Sequence, residues 1–194
     1  MAIVAAMPAE FDPNPPLFTA RLRLEAQVAA HAGVMLGVLS DPRLYAFAPG
    51  GPPSSEAALR ERFARLESRR SPDGAQLWLN WVVLRGDDAL GFVQASVTPA
   101  EGVADVAYVL HPGAWGQGYA AEAVRVMLRF LRDGLAVTRF TASVDARNAA
   151  SLRLIERLGF TLAGTLRGAN ESGGVISDEL LFERPAAGPG LDLG

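Results

Sequence analysis

Apolar and polar positions change their period several times along this 194-residue chain, and each change marks an expected element. Leu22 and Leu24 alternate with Arg21, Arg23 and Glu25, which predicts a half-buried strand over 19–26. Val28, Ala32, Met35, Leu36 and Leu39 then keep helical spacing. Prolines and glycines over 49–53 break that pattern and predict a loop. Ser54 or Ser55 is a suitable cap for a second helix burying Leu59, Phe63 and Leu66. Residues 77–84 are almost entirely apolar, as expected of a strand covered on both faces. Turns at Gly86 and near Gly102 lead into strands over 90–98 and 103–110, giving three hairpin-connected strands. Ala120, Ala123, Val124, Met127, Leu128 and Leu131 form the stripe of a core-facing helix over 119–133, with Gly134 expected at its C-terminal cap. A strand over 138–144, a helix over 148–158 stopped by Gly159, and a hairpin of 160–167 with 175–183 complete the pattern.

The order β, α, α, β, β, β, α, β, α, β, β predicts an α+β (mixed α/β) fold. Its sheet is mostly antiparallel, with one β-α-β crossover in the second half. A doubly wound dinucleotide fold would alternate strands and helices throughout, so it is disfavoured. The proline-rich residues 1–17 read as an extended arm, 18–184 as one domain, and 185–194 as a flexible tail.

Composition removes several chemistries. All eighteen basic residues are arginine, so neither a Schiff base nor a lysine-bearing phosphate loop is available. Cysteine is absent, which excludes a thiolate nucleophile and disulfides and fits a cytoplasmic location. His31 and His111 are the only histidines, too few for a histidine-rich metal site, and no metal is expected. A net charge of −3 without a basic run makes nucleic acid an unfavoured partner, and no apolar run suits a membrane span.

Two short constellations carry chemistry. Trp115-Gly116-Gln117-Gly118-Tyr119-Ala120 joins an apolar strand to a helix, a geometry that aims unpaired backbone N–H groups at one point and suits phosphate oxygens. Asn148 and Ser151 share one face at the start of a later helix, where Asn148 also suits a plain N-cap.

Together these segments resemble the GCN5-related N-acetyltransferase (GNAT) superfamily over roughly residues 17–184. The matching pieces are the strand, glycine turn and helix, followed by Asn148-x-x-Ser151 and then Leu158-Gly159-Phe160. Within the superfamily the chain is most similar to the RimJ/RimL-like ribosomal-protein N-terminal acetyltransferases, through Thr19-Ala20-Arg21-Leu22-Arg23-Leu24, Ala107-Tyr108-Val109-Leu110-His111-Pro112, and the run from Trp115 to Ala123. Of the superfamily pattern Arg/Gln-x-x-Gly-x-Gly/Ala, Gly118 and Ala120 match, while Trp115 takes the first position.

The resemblance implies a central twisted sheet of about six to seven strands flanked by about four helices. It implies acetyl-CoA as acyl donor, with backbone N–H groups of Gln117, Gly118, Tyr119 and Ala120, in the turn of Trp115 and Gly116, on the pyrophosphate. Tyr108, Val109 and Leu110 would pair with pantetheine like an added strand, and Asn148 would contact it. Ser151 would lie near the thioester sulfur and protonate the departing thiolate, by default, because its helix has no tyrosine. A backbone N–H of Val109 or Leu110 would bind the oxyanion. Asp105 is the expected base, directly or through water, with Asp178 as backup; His111 suits a structural role and His31 has no evident partner. The acceptor would be a primary amine, either a peptide N-terminus or a small molecule, walled by the 49–53 loop and the 170–175 hairpin loop. A non-catalytic acyl-CoA-binding module and a plain interaction domain are the other readings, and a homodimer is compatible with the resemblance.

Overall fold

The computed structural model describes residues 12–172, 174–188 and 191. Most of the arm expected over 1–17 and the last residues of the tail therefore lie outside the described residues.

Eight strands form one sheet in the order β1-β2-β3-β4-β5-β6-β8-β7. They are β1 (Leu17–Phe18), β2 (Arg23–Ala26), β3 (Leu77–Arg85), β4 (Asp88–Thr98), β5 (Val103–Leu110), β6 (Arg139–Asp145), β7 (Thr161–Ser172) and β8 (Val175–Pro185). The helices are α1 (Ala32–Leu39), α2 (Glu56–Leu66), α3 (Tyr119–Leu135) and α4 (Ala149–Arg157). Every neighbouring pair is antiparallel except β5–β6, which the α3 crossover makes parallel.

Period-2 alternation sorts the sheet into two faces. Leu79, Trp81, Val93, Ala95, Ala104, Val106 and Phe140 join α3 and α4 in the larger core. Val82, Leu84, Phe92 and Val109 point the other way, into a smaller core with α1 and α2. From Trp81 to Leu84 β3 is thus covered on both faces, as its almost entirely apolar run predicts.

Three expectations are corrected. The strand expected over 19–26 is split, because Thr19 N–H donates to Leu22 O and turns the chain between β1 and β2. That turn adds a strand to the expected count. Helix α3 runs through Gly134, and Ala136 takes the left-handed cap at φ 52°. The Phe130 ring lies where a Gly134 side chain would go, with Cε2 3.0 Å from an added Cβ, so this glycine serves packing. The described tail is held down: Ala186 N–H donates to Thr138 O, and both Ala186 and Leu191 are buried.

Candidate active site

β5 and β6 pair only from Val103 to Asp105, against Arg139 to Thr141, and then diverge. The far half of β5 is left without a partner on that side. His111 N–H donates to Leu90 O across β4. By antiparallel alternation Val109 also turns its backbone to β4, while Tyr108 and Leu110 turn theirs into the divergence. Of the strand expected to pair with pantetheine, Tyr108 and the Leu110 N–H are therefore placed to do so, and Val109 is not. Leu110 O is already taken, accepting from the Trp115 indole at 2.6 Å.

The turn after β5 is shaped for the approach of an anion. His111 Nδ1 accepts from Gly113 N–H, and Gln117 Nε2 donates to Gly113 O, so both side chains fold the turn onto itself. Gly116 and Gly118 adopt φ of 73° and 81°, in the region that favours glycine. Gly118 is the N-cap of α3 and offers no side chain to the first-turn N–H groups. Those donors face a cavity of about 450 Å³ whose lining includes Gly116, Gly118, Ala120, Tyr108, Asn148 and Ser151. An open helix N-terminus on a glycine turn fits a diphosphate.

Arg21 braces this turn from the far end of the chain. Its guanidinium bonds Gln117 O and the Glu122 carboxylate, and stacks 4.5 Å from the Tyr119 ring centre. Thr19 also bonds Glu122. Arg85 donates to the Tyr119 hydroxyl at 2.6 Å. The 19–24 segment thus acts through four long-range contacts that its own local pattern could not reveal.

At the other end of the cavity, Tyr108 Oη and Ser151 Oγ are 2.6 Å apart. The first residue comes from β5 and the second from the first turn of α4. Burial pushes the Tyr108 phenol up from its ordinary value and the Ser151 hydrogen bond partly offsets this, so the phenol keeps its proton. Sequence reasoning placed Tyr108 only by its backbone; the absence of a tyrosine from α4 hid one arriving from the strand. Asn148 caps α4, its Oδ1 accepting from Ser151 N–H at 3.0 Å, which leaves its amide Nδ2 for a ligand.

Asp105 does not line this cavity. It lies on the opposite face of β5, in one row with Ser96 on β4 and Thr141 on β6. Thr141 Oγ1 donates to its carboxylate at 2.9 Å. Burial pushes the Asp105 carboxyl up, Thr141 pulls partly against that, and Glu179 adds to the rise. Asp178, by contrast, accepts from Gly168 N–H and Arg167, which hold it below the ordinary range and make it a poor proton acceptor. His31 has a partner after all: its Nε2 lies 3.3 Å from Glu25.

One buried carboxylate escaped the sequence reading. Asp145 ends β6 and accepts from Arg147, Asn170 and Ser177, chiefly Arg147, which holds its pKa at about 2. Asn170 also donates to Phe47 O, and Ser172 to Tyr45 O. Through these bonds the β7–β8 hairpin is tied to the 45–48 segment at the cavity mouth. The hairpin end expected as one wall thus meets residues 45–48 rather than the 49–53 loop expected as the other, and Gly173 lies outside the described residues.

Comparison with known proteins agrees with this geometry. Residues 21–161 match the family model described as an acetyltransferase (GNAT) domain. An uncharacterized N-acetyltransferase p20 of Bacillus licheniformis is 26% identical over 167 residues, covering 86% of this chain and 93% of that one. RimL, the ribosomal L7/L12 α-N-protein acetyltransferase solved with coenzyme A, superposes with a TM-score of 0.78 at 20% identity, over 88% of this chain and 97% of that one. The ribosomal-protein-S5-alanine acetyltransferase of Vibrio fischeri gives 0.79 at 17% identity, over 90% and 98% of the two chains. Those two likenesses show a shared fold. With the family model spanning most of its length, the chain belongs to the GNAT acetyltransferases and is an acetyl-CoA-dependent enzyme.

Proposed function

We propose that the protein acetylates a primary amine, with a peptide N-terminus as the favoured acceptor, by direct attack in a ternary complex. The observation that carries this is the Tyr108–Ser151 pair, at 2.6 Å, in the same cavity as the open N-terminus of α3. The first-turn amides of α3, with Gly116 and Gly118, would hold the diphosphate. The backbone of Tyr108 and the Asn148 amide would align the pantetheine arm so that its thioester lies beside β5.

A neutral amine nitrogen then attacks the carbonyl carbon. The new C–N bond forms as the C–S bond breaks. Leu110 N–H is the donor left free for the developing oxyanion, and one such donor contributes about 3 kcal/mol to a transition state. Ser151 gives its hydroxyl proton to the leaving sulfur and takes the Tyr108 proton in turn. The proton lost by the amine passes to Asp105 through water, since Asp105 faces the other side of β5. Its raised pKa brings it closer to that task than an ordinary carboxylate.

Release of free CoA thiol tests the reading against a panel of short peptides and small amines. Turnover with free-amino peptides, and none with the same peptides blocked at the N-terminus, is expected. If acetyl-CoA binds and no amine gives thiol release, the protein is an acyl-CoA-binding module and the proposal fails.

A further inference from the structure

The half of the sheet outside the α1–α2 apolar core carries mostly polar residues. Trp78, Ser96, Asp105 and Thr141 form one row across β3, β4, β5 and β6, and Asn80, Gln94 and Ala107 form the next. The β3–β4 part of this floor, beside the end of α2, is roofed into a second cavity of about 690 Å³. Around that cavity stand Arg62 and Arg65 on α2 and Arg70 just beyond it, all exposed. Among the described residues none of these three arginines is ion-paired. Two nearby acids are committed elsewhere: Glu67 accepts from Ala29 N–H, and Asp73 from Ser71 and Ala75 in its own turn. A polar floor of this kind is no packing surface, and three unneutralised guanidiniums above it attract carboxylates.

The same row runs on through Asp105, so the groove has an acidic end beside the strand divergence and a basic end beside α2. Adjacent strands lie about 4.8 Å apart, which separates Asp105 from Trp78 by roughly 10 Å. An extended peptide covers that distance in about three residues. We infer that this groove selects peptide acceptors bearing Asp or Glu at the third or fourth position, their side-chain carboxylate held by Arg62, Arg65 and Arg70 while the α-amine sits near Asp105. The inference rests on the peptide reading proposed above and adds the chemical class of the acceptor.

Steady-state kinetics with tetrapeptide and hexapeptide amides tests it. Carboxamide C-termini leave the side chain as the only source of negative charge. Each peptide is compared with Glu, Gln or Lys at positions three and four. The Glu peptide is expected to show a KM roughly tenfold below its Gln counterpart, with similar kcat, and the Lys peptide a KM above both. In R62Q/R65Q the Glu advantage is expected to shrink to twofold or less. R129Q, on α3 against the other face of the sheet, removes one charge and is expected to leave the ratio unchanged. Equal KM values for Glu and Gln in the wild type would overturn the inference while the peptide reading stands, as would a Glu advantage that survives in R62Q/R65Q. If acetyl-CoA binds and no peptide is acetylated, the peptide reading itself fails.

Discussion

Ser151 and Tyr108 share one hydrogen bond, and a proton relay of this kind behaves as a unit. Ser151→Ala and Tyr108→Phe are each expected to lower kcat by roughly 10²-fold or more, with little change in acetyl-CoA affinity, and the double variant to be hardly slower than either single one. Independent, multiplying losses would show that the two hydroxyls act apart. Asp105 is distinguished by the pH profile. Burial raises its folded pKa, so activity should rise with pH through a value above the ordinary carboxylate range, as the group loses its proton and becomes able to accept one. In Asp105→Asn that limb should vanish, and a limb that persists there would assign the base elsewhere. Asp145 has the opposite sign. Its carboxyl is depressed from 3.8 to about 2, so its contribution to stability is complete above the upper value and is lost as pH falls through that window. Wild-type melting temperature should therefore drop more steeply there than that of Asp145→Asn. Parallel curves would contradict the assignment.

At the level of elements, the site depends on β5 leaving β6 while holding β4. Gly91 makes the second half of that possible. It sits at φ 155° opposite Leu110, and an added Cβ would stand 2.0 Å from Val109 O. No rotamer relieves a backbone clash, so Gly91→Ala should destabilise the fold by roughly 2–4 kcal/mol. Thermal unfolding checks this, and an unchanged melting temperature would show that β4 and β5 separate there at no cost. Helices α3 and α4 both begin at the lining of one cavity. Gly118 leaves the amides of α3 open, whereas Asn148 closes one amide of α4 and thereby fixes Ser151. Local pattern exposed both starts, because caps and glycine turns act over a few residues. It misplaced the end of α3, where a Phe130 ring contact overrides the usual meaning of glycine.

For the molecule as a whole, what could be read in the sequence was what lies close together along it. The succession of elements along the chain, the single crossover and the 115–120 turn follow from periodicity and glycine spacing, whereas the place of β8 between β6 and β7 does not. The remaining features are products of folding: Arg21 reaches Gln117, Tyr108 reaches Ser151, Asn170 reaches Asp145, and three α2-end arginines overhang a bare polar floor. Each pairs segments far apart in the chain, and no local period encodes such a meeting. Among the described residues, one cavity joins the far half of β5 to the starts of α3 and α4, and another lies over β3 and β4 beside α2. Acetyl-CoA should accordingly raise the melting temperature in proportion to the logarithm of its concentration above Kd. Isothermal calorimetry with acetyl-CoA, comparing the wild type with Gly118→Glu, tests the central claim most directly. Saturable one-site binding, abolished by a side chain placed at the mouth of the α3 amides, is the predicted result. Absence of saturation up to millimolar ligand in the wild type, or undiminished affinity in Gly118→Glu, would contradict it.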